Sequence, residues 1–240
     1  MSKPIRVLLL DTETNGLPTS RQAPPARWEF YPALLQISWA IYEIEGPYFR
    51  PISKRDIGVA LHPSIPWNAG AARVHGITEP EARCGTPAYK ALQELGAALR
   101  EVSIVVAHNM DFDKPIIRAA AYAEADRGFP GASPADLAAL RALWPTNIQE
   151  LCTMRTTKNI IKIPSPYYAD KPDAGIRYKV PKLNEVYTWL YGHPYDVSGA
   201  SLHNAKSDTH CLAQCVSGLL RKGYASITDG RLTVCDPDGE

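Results

Sequence analysis

Val7 to Leu17 read VLLLDTETNGL: four apolar residues, then two carboxylates one residue apart, then Asn-Gly. An apolar run this short, closed by a turn signal, predicts a fully buried strand. Side chains alternate along a strand, so Asp11 and Glu13 project from the same face, ~7 Å apart along it. Two charges at that distance repel by about 2.4 kcal/mol at an effective dielectric of about 20. A chain that places such a pair where a buried strand ends is expected to offset it with a cation. The same Asp-x-Glu-x-Asn-Gly run opens like an EF-hand calcium loop. Such a loop needs an acid at its twelfth position, which here is Gln22, and Pro18 falls inside it. The preceding segment also reads as strand rather than helix, which excludes that reading. The plainer alternative is a pair of solvated acids, and the rest of the chain has to decide.

The chain has 240 residues, 45% of them hydrophobic and 21% charged, which fits one generous globular domain with decorations. Lys and Arg number 26 against 25 Asp and Glu, a formal charge of +1. That balance gives no global pull toward nucleic acid, so any such contact must come from a local patch. The five cysteines are scattered without a CxxC pair and read as reduced thiols of a cytoplasmic protein. Neither a signal peptide nor a membrane span is expected.

Pro18 to Pro32 reads as a loop, and Leu34 to Ile44 as a half-buried strand because Leu35, Ile37, Trp39 and Ile41 alternate. A weaker strand is expected around Ile52 to Leu61. Short helical pieces follow at Asn68 to His75 and Glu79 to Arg83, then a better helix from Pro87 to Arg100 with Ala91, Leu92, Leu95 and Leu99 on one stripe. Ile104 to Ala107 repeats the buried-strand pattern and leads into a helix reaching about Ala125. A small added helix is expected within residues 127–145, a strand at Ile148 to Cys152, and an irregular insertion at residues 158–181. Helices at Lys182 to Leu190 and Ala205 to Lys222 follow, and residues 225–240 read as a short tail closing a domain of residues 1–224. Strands alternating with helices point to an α/β layered fold.

Two further acidic groups stand where an α/β protein keeps its sites. AHNMDFD follows the second buried strand, with Asp113 or Asp111 as the candidate; spacing alone does not separate them. The competing explanation is an Asn109 helix cap with acids in the first turn. In HNAKSDTHCLAQCVSGLL, Asp208 falls on the core side of a helix whose buried stripe runs through Cys211, Leu212, Cys215, Val216, Leu219 and Leu220. A carboxylate there must be paired or bound. His203 stands five residues before it, in the connection. If Asp11, Glu13, Asp113 and Asp208 converge, their repulsion sums to roughly 14 kcal/mol at an effective dielectric of about 20, comparable with the whole stability of a domain. Convergence therefore implies divalent metal, and all-oxygen ligands favour Mg2+, or Mn2+, over zinc. Two such ions form the clamp used for in-line attack on phosphodiesters, and a histidine titrating near neutrality suits the general base.

These residues resemble the DEDDh 3′–5′ exonucleases, the DnaQ-like group of the ribonuclease H-like fold. DTETNGL resembles the first motif, HNMDFD the second and HNAKSD the third, with the histidine five before the aspartate; the sister group has tyrosine at the position of Asn204. VHGIT (Val74 to Thr78) and KLNEVYTWLYG (Lys182 to Gly192) resemble recurrent family segments. The resemblance spans about residues 5–223 and implies a mixed five-stranded sheet flanked by helices on both faces. It selects Asp113 over Asp111. It further implies that Asp11, Glu13 and Asp208 bind the water-activating ion, with Asp11 shared and Asp113 completing a second ion's shell. His203 would take the water's proton, and Thr14, Leu17 and Asn109 would contact the terminal nucleotide.

From Arg155 to Lys182 lie seven basic residues (Arg155, Lys158, Lys162, Lys171, Arg177, Lys179, Lys182), interleaved with Tyr167, Tyr168 and Tyr178. Cations for phosphates and rings for bases suit a single strand, although an ordinary solvated loop reads the same way. His210, Cys211 and Cys215 could offer zinc ligands on one helix, but the cysteines lie on the apolar stripe and read as core. The expected activity is release of nucleoside 5′-monophosphates from the 3′ end of single-stranded or frayed nucleic acid, DNA favoured. Few residues follow the last helix, which favours repair or end-trimming over proofreading within a replicase. The alternatives are an RNA 3′-end-trimming enzyme of the same chemistry and a catalytically idle nucleic-acid-binding module. A homodimer or a protein partner is neither specified nor excluded.

Overall fold

The computed structural model describes residues 4–46, 48–168, 177–196 and 204–236. Its centre is β1 (Ile5–Thr14), whose Val7, Leu8, Leu9 and Leu10 have no exposed surface. Burial of each such side chain contributes about 1.5–3 kcal/mol. β1 runs antiparallel to β2 (Leu34–Glu45), which runs antiparallel to β3 (Tyr48–Gly58). On its other side β1 pairs in parallel with β4 (Ile104–Ala107), and β4 with β5 (Gln149–Cys152), giving the sheet order β3-β2-β1-β4-β5. The mixed five-stranded sheet is the one expected.

The crossover from β3 to β4 carries three helices, α1 (Ala69–His75), α2 (Glu79–Arg83) and α3 (Ala88–Leu99). The link from β4 to β5 carries α4 (Met110–Arg127) and α5 (Pro134–Arg141). After β5 come α6 (Thr153–Thr156), α7 (Lys158–Ile161), α8 (Leu183–Tyr191) and α9 (Ala205–Arg221). Even-numbered β1 residues Leu8 and Leu10 pack with Leu92, Leu95, Ile116 and Ile117 of α3 and α4. Odd-numbered Val7 and Leu9 pack with Val186 of α8 and Leu212 and Val216 of α9. The period of two along β1 thus assigns each helix pair its face, and helices cover both.

Three details differ from expectation. β2 is buried on both faces up to Ile44, not half-buried, because α8 and α9 cover Ala40, Tyr42 and Ile44 from the second side. The insertion after Lys158 is not wholly irregular: α7 opens it, and Pro164 bridges Tyr178 in antiparallel fashion. The segment after residue 224 is no simple tail. β6 (Ala225–Thr228) and β7 (Arg231–Val234) form a hairpin with Ala225 and Leu232 buried. Gln149 on β5 holds it in place, its Nε2 donating to the Leu232 carbonyl at 2.6 Å and its Oε1 accepting from the Leu232 N–H at 3.0 Å.

Candidate active site

The sheet topology creates the site. β1 and β4 pair only as far as Leu9 and Val106, whereas β1 stays paired with β2 through Thr14. Beyond Leu9 one side of β1 is therefore open at the carboxyl end of the parallel strands, where α/β sheets place their crevices. A β-bulge falls between Glu13 and Thr14, a local twist common at the ends of strands that carry function.

Asp11 and Glu13 follow Val7 and Leu9 in the alternation and so face the α9 side. There they meet Asp208, in the first turn of α9: one carboxylate oxygen from each of the three lies within 4.8 Å of the others. Among the described residues this is the only trio of potential ligands that could hold a metal ion. Burial, followed by the charges of Asp113, Asp208 and Glu13, holds the Asp11 carboxyl well above the usual carboxylate range. Burial and the charges of Asp208 and Asp113 push Glu13 up to about 8. Each carboxyl is thus destabilised as an anion in the absence of a counter-charge.

Asp113 comes from the opposite face. It sits in the first turn of α4, 2% exposed, and accepts a 2.8 Å hydrogen bond from the Thr12 hydroxyl. Burial raises its carboxyl to about 7 despite the opposing bonds from Thr12. Asp113 is thus outside the tight trio yet close enough for its charge to raise Asp11 and Glu13. Thr12 is the residue that sequence reading missed. Its signal was available: a hydroxyl at an inward-facing strand position between two acids needs a partner inside. Asp111, the alternative in the same motif, has a side chain 60% exposed and pairs with Arg155 at 2.9 Å. The helix-cap explanation fails, since the Asn109 side chain makes no cap hydrogen bond and Asp113 is not solvated. Asn109 stands exposed at the rim.

The Asn-Gly turn locks the strand tip to the loop before α1. Asn15 Nδ2 donates to the Pro66 carbonyl at 2.9 Å, and Asn15 Oδ1 accepts the Asn68 N–H at 3.0 Å. Gly16 has φ +144, and a Cβ there would lie 3.2 Å from Asn68 Nδ2, so the position strains any L side chain. The Thr14 hydroxyl donates to the Gly16 carbonyl at 2.7 Å. Leu17, four residues past Glu13, is a large apolar side chain left 70% exposed. His203 lies outside the described residues.

His108, between β4 and Asn109, is a second residue without a sequence-level assignment. One ring nitrogen lies 2.9 Å from the Thr153 hydroxyl and the other 3.0 Å from the Pro181 carbonyl. Burial, only partly opposed by the Pro181 bond and the Glu185 charge, takes its pKa down to about 4, so the ring is neutral and ties the start of α6 and the residues before α8 to the end of β4. The basic segment beyond it is more engaged than its composition conveys. Arg155 pairs with Asp111, Lys162 with Asp236 and Lys179 with Glu185, while Arg177 stacks on Tyr168. Lys171 lies outside the described residues. Cys211 and Cys215 are buried in the core against α8, and His210 points to the Tyr195 hydroxyl, so the three do not assemble a zinc site. No described helix is long and apolar enough to cross a membrane.

No family model and no curated protein matches the sequence. Solved structures do match in three dimensions. The zinc-bound complex of E. coli exonuclease I with single-stranded DNA superposes with a TM-score of 0.60 at 14% identity, over 92% of this chain and 41% of that one. A 3′-exonuclease solved in 3′-end-specific recognition of a histone mRNA stem-loop gives 0.60 at 12% identity, over 100% of this chain and 73% of the other. Exonuclease I of Methylocaldum szegediense gives 0.57 at 14% identity, covering 90% and 40%. The chain thus spans less than half the length of the exonuclease I chains. At such identities the likeness is one of architecture, and the architecture is the ribonuclease H-like fold of these exonucleases.

Proposed function

We propose that this chain is a divalent-metal-dependent 3′–5′ exonuclease that hydrolyses the terminal phosphodiester of single-stranded or frayed nucleic acid. The observation that carries the reading is the trio Asp11, Glu13 and Asp208, with ligand oxygens within 4.8 Å at an open strand tip and carboxyls driven up by burial. A hard-oxygen set of this kind fits Mg2+ or Mn2+, although the related E. coli enzyme has been crystallised with zinc. When bound, two such ions supply Lewis-acid stabilisation of the attacking and leaving oxygens. Asp11, Glu13 and Asp208 are assigned to the first ion and Asp113, with Asp11, to the second. His203 is assigned the proton of the attacking water, on the motif resemblance alone. The water oxygen joins phosphorus, the penultimate nucleotide's 3′-oxygen leaves, and a nucleoside 5′-monophosphate is released.

Leu17 and Asn109 are assigned to the terminal nucleotide on the motif resemblance, and both are exposed, just past the ends of β1 and β4. Thr14 is assigned there through its backbone, its hydroxyl being engaged by Gly16. DNA is the favoured substrate. RNA is the second reading, favoured by the histone mRNA exonuclease among the structural neighbours. The five free thiols fit a cytoplasmic role in repair or end-trimming. The test is digestion of 5′-labelled single-stranded DNA and RNA with Mg2+, Mn2+, Zn2+ or chelator. A metal-dependent ladder shortening from the 3′ end is expected. Absence of cleavage with every metal, or cleavage that persists in chelator, overturns the reading.

A further inference from the structure

The first turns of α9 present two opposite faces. Two residues along a helix rotate it by about 200°, so Lys206 and His210, two before and two after Asp208, point away from the acids. On that side the sheet pairs Ser38 with Asp56 and Ala40 with Lys54 across β2 and β3. Between α9, these strands and the end of α1 lies a cleft of about 770 Å³, lined by none of Asp11, Glu13, Asp113 and Asp208. Lys206 enters it from α9 and Lys54 from β3. Among the described residues neither lysine has a carboxylate partner. Burial, then the Lys54 charge, holds the His210 ring below its ordinary value, and its Nδ1 lies 2.5 Å from the Tyr195 hydroxyl. At the α1 end the cleft is lined by His75, only 4% exposed. The Ile77 N–H donates to His75 Nδ1 at 3.0 Å, so the neutral ring carries its proton on Nε2. That buried donor has no hydrogen-bond partner among the described residues.

We propose that this cleft binds a phosphomonoester dianion carried on a small molecule of mononucleotide size. The proposal goes beyond the exonuclease reading and does not depend on it. Three observations choose the ligand. Two unpaired ammonium groups facing one concavity attract a compact anion, and lysine serves phosphate as a point charge. The lining holds little to oppose that charge. Asp56, its only carboxylate among the described residues, accepts a 2.8 Å hydrogen bond from Gln36 Nε2. An unmet buried donor is destabilising, and an acceptor oxygen at the α1 end relieves the one on His75. Finally, the volume is that of a small-ligand pocket, so a bare phosphate leaves most of it unfilled. The Tyr195 ring beside the lysines suits a flat group attached to the phosphate.

The test titrates the full chain with inorganic phosphate, adenosine and adenosine 5′-monophosphate by calorimetry, while the imidazole resonances of His75 and His210 are followed. Chelator is present throughout, so no metal at the acids holds the phosphate there. Both anions should bind, the monophosphate more tightly than inorganic phosphate, and adenosine should not. The resonances of His75 and His210 should shift together as the monophosphate is added. Lys54→Met and Lys206→Met should each weaken the monophosphate about tenfold. Both lysines are exposed, so the variants should fold, and a melting curve checks that they do. The proposal is overturned if neither anion binds up to about 10 mM, or if adenosine or bare phosphate binds as tightly as the monophosphate. Affinity indifferent to both lysines overturns it equally. No cleavage is measured, so the outcome bears on the cleft alone and leaves the exonuclease reading to its own assay.

Discussion

The tip of β1 and the described residues between Arg155 and Lys182 are made differently. At the tip, each acid is fixed by a long, well-packed element: Asp11 and Glu13 by a central strand covered on both faces, Asp208 and Asp113 by the first turns of two long helices packed against it. Among the described residues of the segment, the cations hang on short helices and loops, and three of them, Arg155, Lys162 and Lys179, are already paired with carboxylates. Reacting groups require a fixed geometry, whereas phosphate attraction tolerates mobility. The tip should therefore govern turnover and the segment affinity.

The largest expected effect is at the tip. Asp11→Asn should lower kcat on single-stranded oligonucleotides by about a thousandfold or more. It should also raise the melting temperature of the metal-free protein, because one of three mutually repelling carboxylates is gone. A single-turnover assay with a parallel melt checks both, and retained turnover would place the chemistry elsewhere. Next is Thr12→Val, which leaves the buried Asp113 without its hydroxyl donor. Loss of such a bond costs about 1–3 kcal/mol, so kcat should fall about tenfold or more while KM holds.

The third expectation concerns pH. Glu13 and Asp113 have folded-state values raised to about 8 and about 7. For an acid with a raised value, the unfolded chain ionises first, so stability is fullest below the unfolded pKa and declines as pH rises to the folded one. The metal-free protein should therefore lose several degrees of melting temperature between about pH 4 and pH 8. Saturating Mg2+ should flatten that decline, because the ion binds the ionised form of the native state. A decline of equal slope with and without metal would show that these carboxylates do not share an ion. The smallest effect belongs to the segment: Lys158→Ala should raise KM about two- to fivefold with kcat unchanged, more at low salt. A kcat effect there would erase the contrast between the two regions.

The sheet was legible because β1 and β4 are uninterrupted apolar runs ending in polar turns, a pattern few other structures produce. The meeting of Asp11, Glu13 and Asp208 was legible because the first two end a buried strand and the third falls on the core side of a helix start. Spacing could not separate Asp113 from Asp111; burial does, at one edge of α4 rather than the other. Nor could alternation reveal that β2 is covered twice, since Ser38 and Ala40 read as an outward face until α9 lies on them. The hairpin after residue 224 did leave a signal, Asp229-Gly230, both with positive φ in a two-residue turn of the kind that joins paired strands. It was overlooked because each flanking strand has only four residues. The anchoring role of His108 had no local signal, because its partners lie 45 and 73 residues away.

Gln149 carries a consequence of its own. A five-stranded sheet has two raw borders, each a template onto which another chain can add. At the β3 border the protection is chemical: Arg50, Pro51, Lys54 and Arg55 lie along an exposed strand and discourage stacking of one molecule on the next. At the β5 border it is mechanical, with one glutamine amide imitating a backbone and fastening the C-terminal hairpin as a shield. Shortening the chain at Tyr224 would leave every acid in place and still yield a protein prone to polymerise through that border.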